Sequence, residues 1–293
     1  MDFSRIALPH PDGGEFSTIQ VGAHQKHLPL MIFSHATGFH ARTYLPLFEA
    51  LAQHYRIVAP DARGHGFSTV EANPVALRSW RRYYDDLSFI INQFNEPVFL
   101  AGHSIGGMCS LVAAHRHPER IRGVFAIDPV LLDPLQGSVM KTLQVLGKNE
   151  GFSLATGAKR RRAEFADSNE AFESYRGKRS FSAWPEAWLR HYTQDAFKPS
   201  AGAADASRVT LRCRPEWESR TFSVVEAWPW TQLAKQGCPV KLLLAERGST
   251  CGKRSQALLK TIRPHWSQTV VQGCTHFLPM ENTALVAANM IDF

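Results

Sequence analysis

Cysteine is scarce in this chain and badly placed for its structural uses. The five residues Cys109, Cys213, Cys238, Cys251 and Cys274 are odd in number, scattered, and never spaced Cys-x-x-Cys. That excludes a disulfide framework and a cysteine-built zinc site, and a reducing cytoplasm is the expected compartment. Long apolar runs are missing too. None approaches the ~20 residues needed to cross a bilayer, so no membrane span is expected. Residues 1–14 carry charges, two prolines and no extended apolar core, unlike a secretory signal. Internal repeats and low-complexity linkers are absent, and residues 200–207 read as a loose loop. Acidic residues are outnumbered by basic ones, 26 to 33, leaving a formal charge of +7. Part of the excess is local: Lys159, Arg160, Arg161 and Arg162, then Arg176, Lys178 and Arg179. Acids interrupt the run and no nucleic-acid motif accompanies it, so a solvated helix face is the better account and no nucleic-acid partner is expected.

What is present is a repeating alternation of strand and helix. At 293 residues, 44% of them hydrophobic, the chain can bury a large core as one α/β domain with an insertion. Apolar patterning predicts strands at 16–21 (an edge strand), 30–33, 55–59, 98–101 and 123–127. Between them, helical spacing covers 42–53, 79–94 and the apolar run 108–114. Short strand–helix alternation of this kind means a mostly parallel, doubly wound sheet covered on both faces. From Val130 to about Lys235 no strand pattern is evident, only helical patterns at 137–146, 169–175 and 185–192. The expected organisation is therefore a core of residues 1–128 and 236–293, with residues 129–235 as a helical cap. The sheet resumes at 239–244 and 268–271, with helices at 253–262 and 283–290.

The chemistry centres on Gly102-His103-Ser104-Ile105-Gly106, which follows a buried strand and opens a helix. A sharp strand-to-helix turn strains the backbone at Ser104 and lifts its hydroxyl above the sheet. Glycine on either side avoids collisions with the neighbouring strand and helix. A serine hydroxyl needs a general base, itself oriented by a third group. His276, in Gly273-Cys274-Thr275-His276-Phe277, lies between the last strand and the last helix, where the sheet's C-terminal edge would present it. His35 and His103 flank the region and are expected to be structural donors. The acid is open between two carboxylates. Asp128 directly follows the strand after the elbow helix, and a buried carboxylate there needs a partner such as an imidazole. Glu246 follows the strand after the cap and is the alternative acid, otherwise a pocket or loop-bracing residue. Asp128 is preferred. For an oxyanion, the backbone N–H of Ile105 and that of Thr37, in the small-residue turn 34–40, are the candidate donors. No cofactor or metal is expected.

These segments together resemble the α/β-hydrolase superfamily. The resemblance rests on His35 to Phe39, Asp61 to Ser68, Gly102 to Gly107, Asp128-Pro129 and Gly273 to Phe277, so it spans both halves around the cap. It implies Ser104 as nucleophile, His276 as base and an acid at the end of the sixth strand, Asp128. The loop 245–250 departs from the pattern by lacking its usual aspartate, and His-Ala-Thr-Gly replaces the commoner His-Gly start of the oxyanion turn. Serine at 104 argues against dehalogenase and epoxide-hydrolase chemistry. A serine hydrolase acting on a small to medium carboxylic ester through an acyl-enzyme is the implied function. Lactonase, thioesterase, carbon–carbon bond hydrolase and perhydrolase activities share the same residues, and a non-catalytic receptor on the same fold is the alternative of another class. Aromatics crowd the cap (Phe165, Trp184, Trp188, Tyr192 among them), which suits an apolar acyl or aromatic group but equally suits the cap's own packing.

Overall fold

A computed structural model describes residues 3–200 and 207–293. The loop expected at 200–207 therefore lies, apart from its end residues, outside the described residues. In chain order the first part reads β1 (Phe3–Pro9), β2 (Glu15–Val21), β3 (Leu30–Ser34), α1 (Leu45–Leu51), β4 (Arg56–Pro60), α2 (Arg81–Ile91), β5 (Val98–His103), α3 (Ile105–Arg116) and β6 (Ile121–Ile127). The chain then leaves the sheet for α4 (Pro134–Val145), α5 (Ser153–Lys159), β7 (Glu164–Phe165), α6 (Ser168–Arg176), α7 (Glu186–Ala196), β8 (Phe197–Pro199), β9 (Val209–Leu211), α8 (Pro215–Ser223) and α9 (Trp230–Lys235). It returns as β10 (Val240–Ala245), α10 (Lys253–Ile262), β11 (Ser267–Val271), α11 (Leu278–Glu281) and α12 (Thr283–Ile291).

Eight strands form one sheet in the order β1-β2-β4-β3-β5-β6-β10-β11. From β4 to β11 neighbours run parallel, while β2 pairs antiparallel with β4 and with β1. The central strands are apolar on both faces because helices cover both. Ile32, Leu100, Val124 and Leu242 join α2, α3 and α10 in one core. Their alternates Phe33, Ala101, Phe125 and Leu243 join α1 and α12 in another. Parallel pairing of β5, β6 and β10 brings the C-terminal ends of all three strands to one edge. That edge carries the candidate site.

Two expectations of the sequence reading are corrected. The edge strand is β1, not the strand at 16–21. Ser4 and Arg5 break its apolar alternation, so it pairs with β2 without announcing itself. The insertion is also not strand-free, since β7, β9 and β8 make a small antiparallel sheet there. Strands of two or three residues are too short for a period-2 pattern to register. The helix expected at 42–53 begins as a 3₁₀ turn over Ala41–Tyr44, with α1 proper starting beside Pro46. Proline suits a first turn, where its missing N–H has no partner to lose.

Candidate active site

Ser104 sits where β5 becomes α3, at φ 59° and ψ −120°. The flanking sequence makes that turn possible. A Cβ on Gly102 would overlap the Gly106 carbonyl, and one on Gly106 would overlap the carbonyl of Ser34 in β3. The Ser104 N–H bonds the Ile127 carbonyl at 2.9 Å, tying the elbow to the end of β6. Asp128, one residue on, has φ 39°. Among the described residues these two are the non-glycine positions with positive φ.

Asp128 is fully buried and saturated with donors. Its Oδ1 accepts from the Ala245 N–H at 3.0 Å and the Ser249 hydroxyl at 2.5 Å. Its Oδ2 accepts from the Thr250 N–H at 3.0 Å and from His276 Nδ1 at 2.6 Å. Burial alone would raise this carboxyl's pKa. The hydrogen bond and charge of His276, with those from Ser249 and Ala245, outweigh burial and hold it below the usual carboxylate range. Glu246 points elsewhere: its Oε2 accepts from the Gly273 N–H at 2.8 Å, bracing the loop that carries His276. Of the two carboxylates considered, Asp128 is the one in contact with the imidazole. The aspartate-free loop 245–250 supplies the hydroxyls that cradle it. No hydrogen bond joins Ser104 Oγ to His276 among the described residues. Such contacts often close only around a substrate.

The turn after β3 lies opposite. Gly38 takes φ 79°, and its N–H donates to His65 Nε2 at 3.0 Å. His65 in turn donates from Nδ1 to the Arg63 carbonyl, 2.9 Å away. His35 donates from Nδ1 to the Ala36 carbonyl and accepts from the Ala62 N–H at Nε2. The N–H groups of Thr37 and Ile105 take no acceptor among the described residues, and Ile105 opens α3, whose first amides are free by helix geometry. Both could therefore meet a developing negative charge.

Sequence reasoning overlooked a hydrogen-bonded chain that links the two sides. The Ala36 N–H donates to the Tyr44 hydroxyl at 3.2 Å, and that hydroxyl donates to His103 Nδ1 at 2.7 Å. His103 Nε2–H then donates to the His276 carbonyl at 2.8 Å, with the two rings 4.7 Å apart. Burial, reinforced by the neighbouring His276, depresses the His103 pKa to about 3, so the ring stays neutral and can accept from Tyr44. Burial and His35 hold His65 at about 3 as well. The signal available in the sequence was only the density of histidine around the elbow.

The insertion packs over this edge. Trp184 meets Phe39 and Phe277, each with ring centroids 5.5 Å away, and Tyr192 also lies 5.5 Å from Phe39. A buried ion pair, Arg161 with Glu218, is held by the Tyr175 and Tyr192 hydroxyls. It sits against the turn after β3: a Cβ on Gly38 would come within 2.5 Å of Glu218 Oε1. Arg161, read from the sequence as part of a solvated basic run, is thus inside the insertion.

A model of the alpha/beta hydrolase family matches residues 31–289. The chain belongs to that family. As an alpha/beta hydrolase it resembles 2-(acetamidomethylene)succinate hydrolase of Mesorhizobium japonicum, 34% identical over 34% of this chain and 35% of that one. It also resembles the monoglyceride lipase of Rattus norvegicus, 33% identical over 39% of each. A third relative is the pimeloyl-[acyl-carrier protein] methyl ester esterase of Xanthomonas oryzae, 31% identical over 34% of this chain and 37% of that enzyme. The matches span between about a third and two-fifths of these relatives' lengths. Among solved structures, E-2-(acetamidomethylene)succinate hydrolase superposes with a TM-score of 0.78 at 18% identity, covering 100% of this chain and 99% of that one. A thioesterase domain from the curacin biosynthetic pathway gives 0.77 at 18% identity, over 100% of both chains. At that identity the likeness is one of fold. Among the described residues, no helix is long and apolar enough to cross a membrane.

Proposed function

We propose that this alpha/beta hydrolase cleaves carboxylic esters of small to medium acyl or aromatic substrates, with Ser104 as nucleophile, His276 as base and Asp128 as acid. One observation carries the reading. The two strained non-glycine residues, Ser104 and Asp128, stand at the ends of adjacent parallel strands, and Asp128 bonds His276. Such strain costs about 1–3 kcal/mol per residue and persists where surrounding structure enforces it, often at a reactive centre. Ser104 Oγ attacks the ester carbonyl carbon as His276 Nε2 takes its proton. Asp128 holds the tautomer that leaves Nε2 free and stabilises the imidazolium. The Thr37 and Ile105 N–H groups bind the tetrahedral oxyanion, and His276 returns the proton to the departing alcohol. Water, activated by the same imidazole, then releases the acid from Ser104. The scheme requires no metal or cofactor. Residues 129–235 act as the cap that selects the acyl group, and the substrate is a small molecule. The relatives' names, esterase and lipase among them, support ester chemistry. The five free cysteines support a cytoplasmic site of action.

The test is direct. A fluorophosphonate probe should label Ser104, and short-chain p-nitrophenyl esters should be hydrolysed at a rate insensitive to EDTA. Ser104→Ala should abolish both signals while its far-UV circular dichroism stays that of the wild type. Full turnover by that variant would overturn the mechanism, and a wild type that neither labels nor turns over would leave the receptor reading.

A further inference from the structure

The insertion exposes an apolar face that the candidate site does not use. Of the eleven large apolar side chains exposed among the described residues, six lie between Leu135 and Leu154, and Trp228 stands beside them. Helix α4 organises this face. A capping box, Asp133 with Gln136, fixes its start, and only Gly137 and Met140 of its twelve residues are buried. Leu135, Val139 and Leu146 follow at i, i+4 and i+11, so they form one stripe on the outward side. Burying a helix's apolar residues is its usual source of stability, and this stripe is left uncovered.

The charge around the stripe says what covers it. Val145, Leu146 and Trp228 share a groove with Arg78 and Lys141, and an adjoining groove joins Arg78 to Lys159. Lys148, exposed, lies two residues beyond Leu146 in the chain. None of these four cations forms an ion pair among the described residues, while the carboxylates in the two grooves are Glu216 and Glu226. A second copy of the chain would set like charges against each other across a two-fold contact. An anionic bilayer surface offers the complement: acyl boundary for the stripe, headgroup phosphates for the lysines, and the interfacial level where tryptophan settles.

The geometry points to α4 and its basic rim as a docking face for anionic lipid surfaces. The protein lies on such a surface by its insertion, without spanning it. Full-length protein should pellet with phosphatidylcholine vesicles doped with phosphatidylglycerol, and only weakly with pure phosphatidylcholine. High salt should release it, because screening removes the headgroup attraction. The double variants Val139→Glu/Leu146→Glu and Lys141→Glu/Lys148→Glu should each lower the partition coefficient at least about tenfold. Their thermal melts and fluorophosphonate labelling should match the wild type, since these side chains are exposed and away from Ser104. Failure of the wild type to pellet, or equal pelleting by the variants, would overturn the proposal. So would a dimer in sedimentation velocity that Val139→Glu dissolves, because the stripe would then belong to a second copy.

Discussion

Asp128 has no spare capacity: both carboxylate oxygens are taken, and its backbone is held at φ 39° by its neighbours. Replacing it with asparagine keeps the shape but puts an amide where His276 Nδ1–H needs an acceptor. In the serine-protease precedent that change costs about 10⁴ in kcat, and a loss on that scale is expected for Asp128→Asn. Glu246→Gln should remain within a few-fold of wild type, because an amide oxygen can still accept from the Gly273 N–H. Ester hydrolysis by the two purified variants decides the matter, and the opposite ranking would return the acid to Glu246. Sequence alone favoured Asp128 and left Glu246 open, since both carboxylates follow the C-terminal end of a strand. What separates them is the register of β6 against β10, which sets Ser249 and Thr250 around a carboxylate 121 and 122 residues away. The link from Ala36 through Tyr44 and His103 to His276 was equally hidden, because it joins three segments that are far apart in the chain. Tyr44→Phe would leave the buried Ala36 N–H and His103 Nδ1 unpaired, at a cost of about 1–3 kcal/mol. It should lower kcat about tenfold with KM nearly unchanged. It should also broaden the downfield proton resonance of the His276–Asp128 hydrogen bond. An unaltered resonance together with an unaltered kcat would mean that the chain only braces the fold.

Among the elements, those that were legible are those buried on both faces. β3, β5, β6 and β10 have continuous apolar runs, and α2 and α10 have clear helical stripes, because tertiary burial and local pattern agree there. Strands that are short or only partly buried left little trace, as β7, β8 and β9, with two or three residues each, and the half-exposed β1 illustrate. The aromatic residues of the insertion carried an ambiguity that structure divides by position. Trp188 is buried against Tyr44, its indole N–H reaching the Thr283 hydroxyl at 3.1 Å. Trp184 instead contacts Phe39 and Phe277, which lie in the turn after β3 and beside His276. Trp188→Ala should therefore act as a core truncation, lowering unfolding free energy by about 3–5 kcal/mol. Trp184→Ala should change the ratio of kcat/KM values along an acyl-chain series, where one methylene is worth roughly 1–3 kcal/mol. Equal losses by Trp184→Ala across the whole series would make that residue a packing element as well.

For the molecule as a whole, the unusual quantity is the number of histidines kept neutral inside it. His40, His65 and His103 are buried, and desolvation, the largest influence on each ring, lowers each pKa to about 3. In the unfolded chain the same rings take protons near the ordinary value of about 6.5. Below that pH the unfolded state binds protons that the folded state refuses, so stability falls as pH drops from about 6.5 toward 3. Each ring contributes up to about 1.4 kcal/mol per pH unit in this window. Asp128, depressed by His276, adds a loss of the same sign below the ordinary carboxylate range, whereas Asp86, raised by burial despite Arg63, offsets part of it. Three rings at that slope can consume a domain stability of about 5–15 kcal/mol within a few pH units. The urea midpoint should therefore decline steadily from pH 7 to pH 5, well before carboxylates titrate. His40→Gln isolates the effect, because His40 meets the Tyr192 carbonyl and lies outside the Ser104, His276 and Asp128 cluster. That variant should show a shallower dependence, by about one proton, whatever its stability at pH 7. A midpoint that stays flat between pH 7 and pH 5, or a slope unchanged by His40→Gln, would show that these rings accept protons without unfolding.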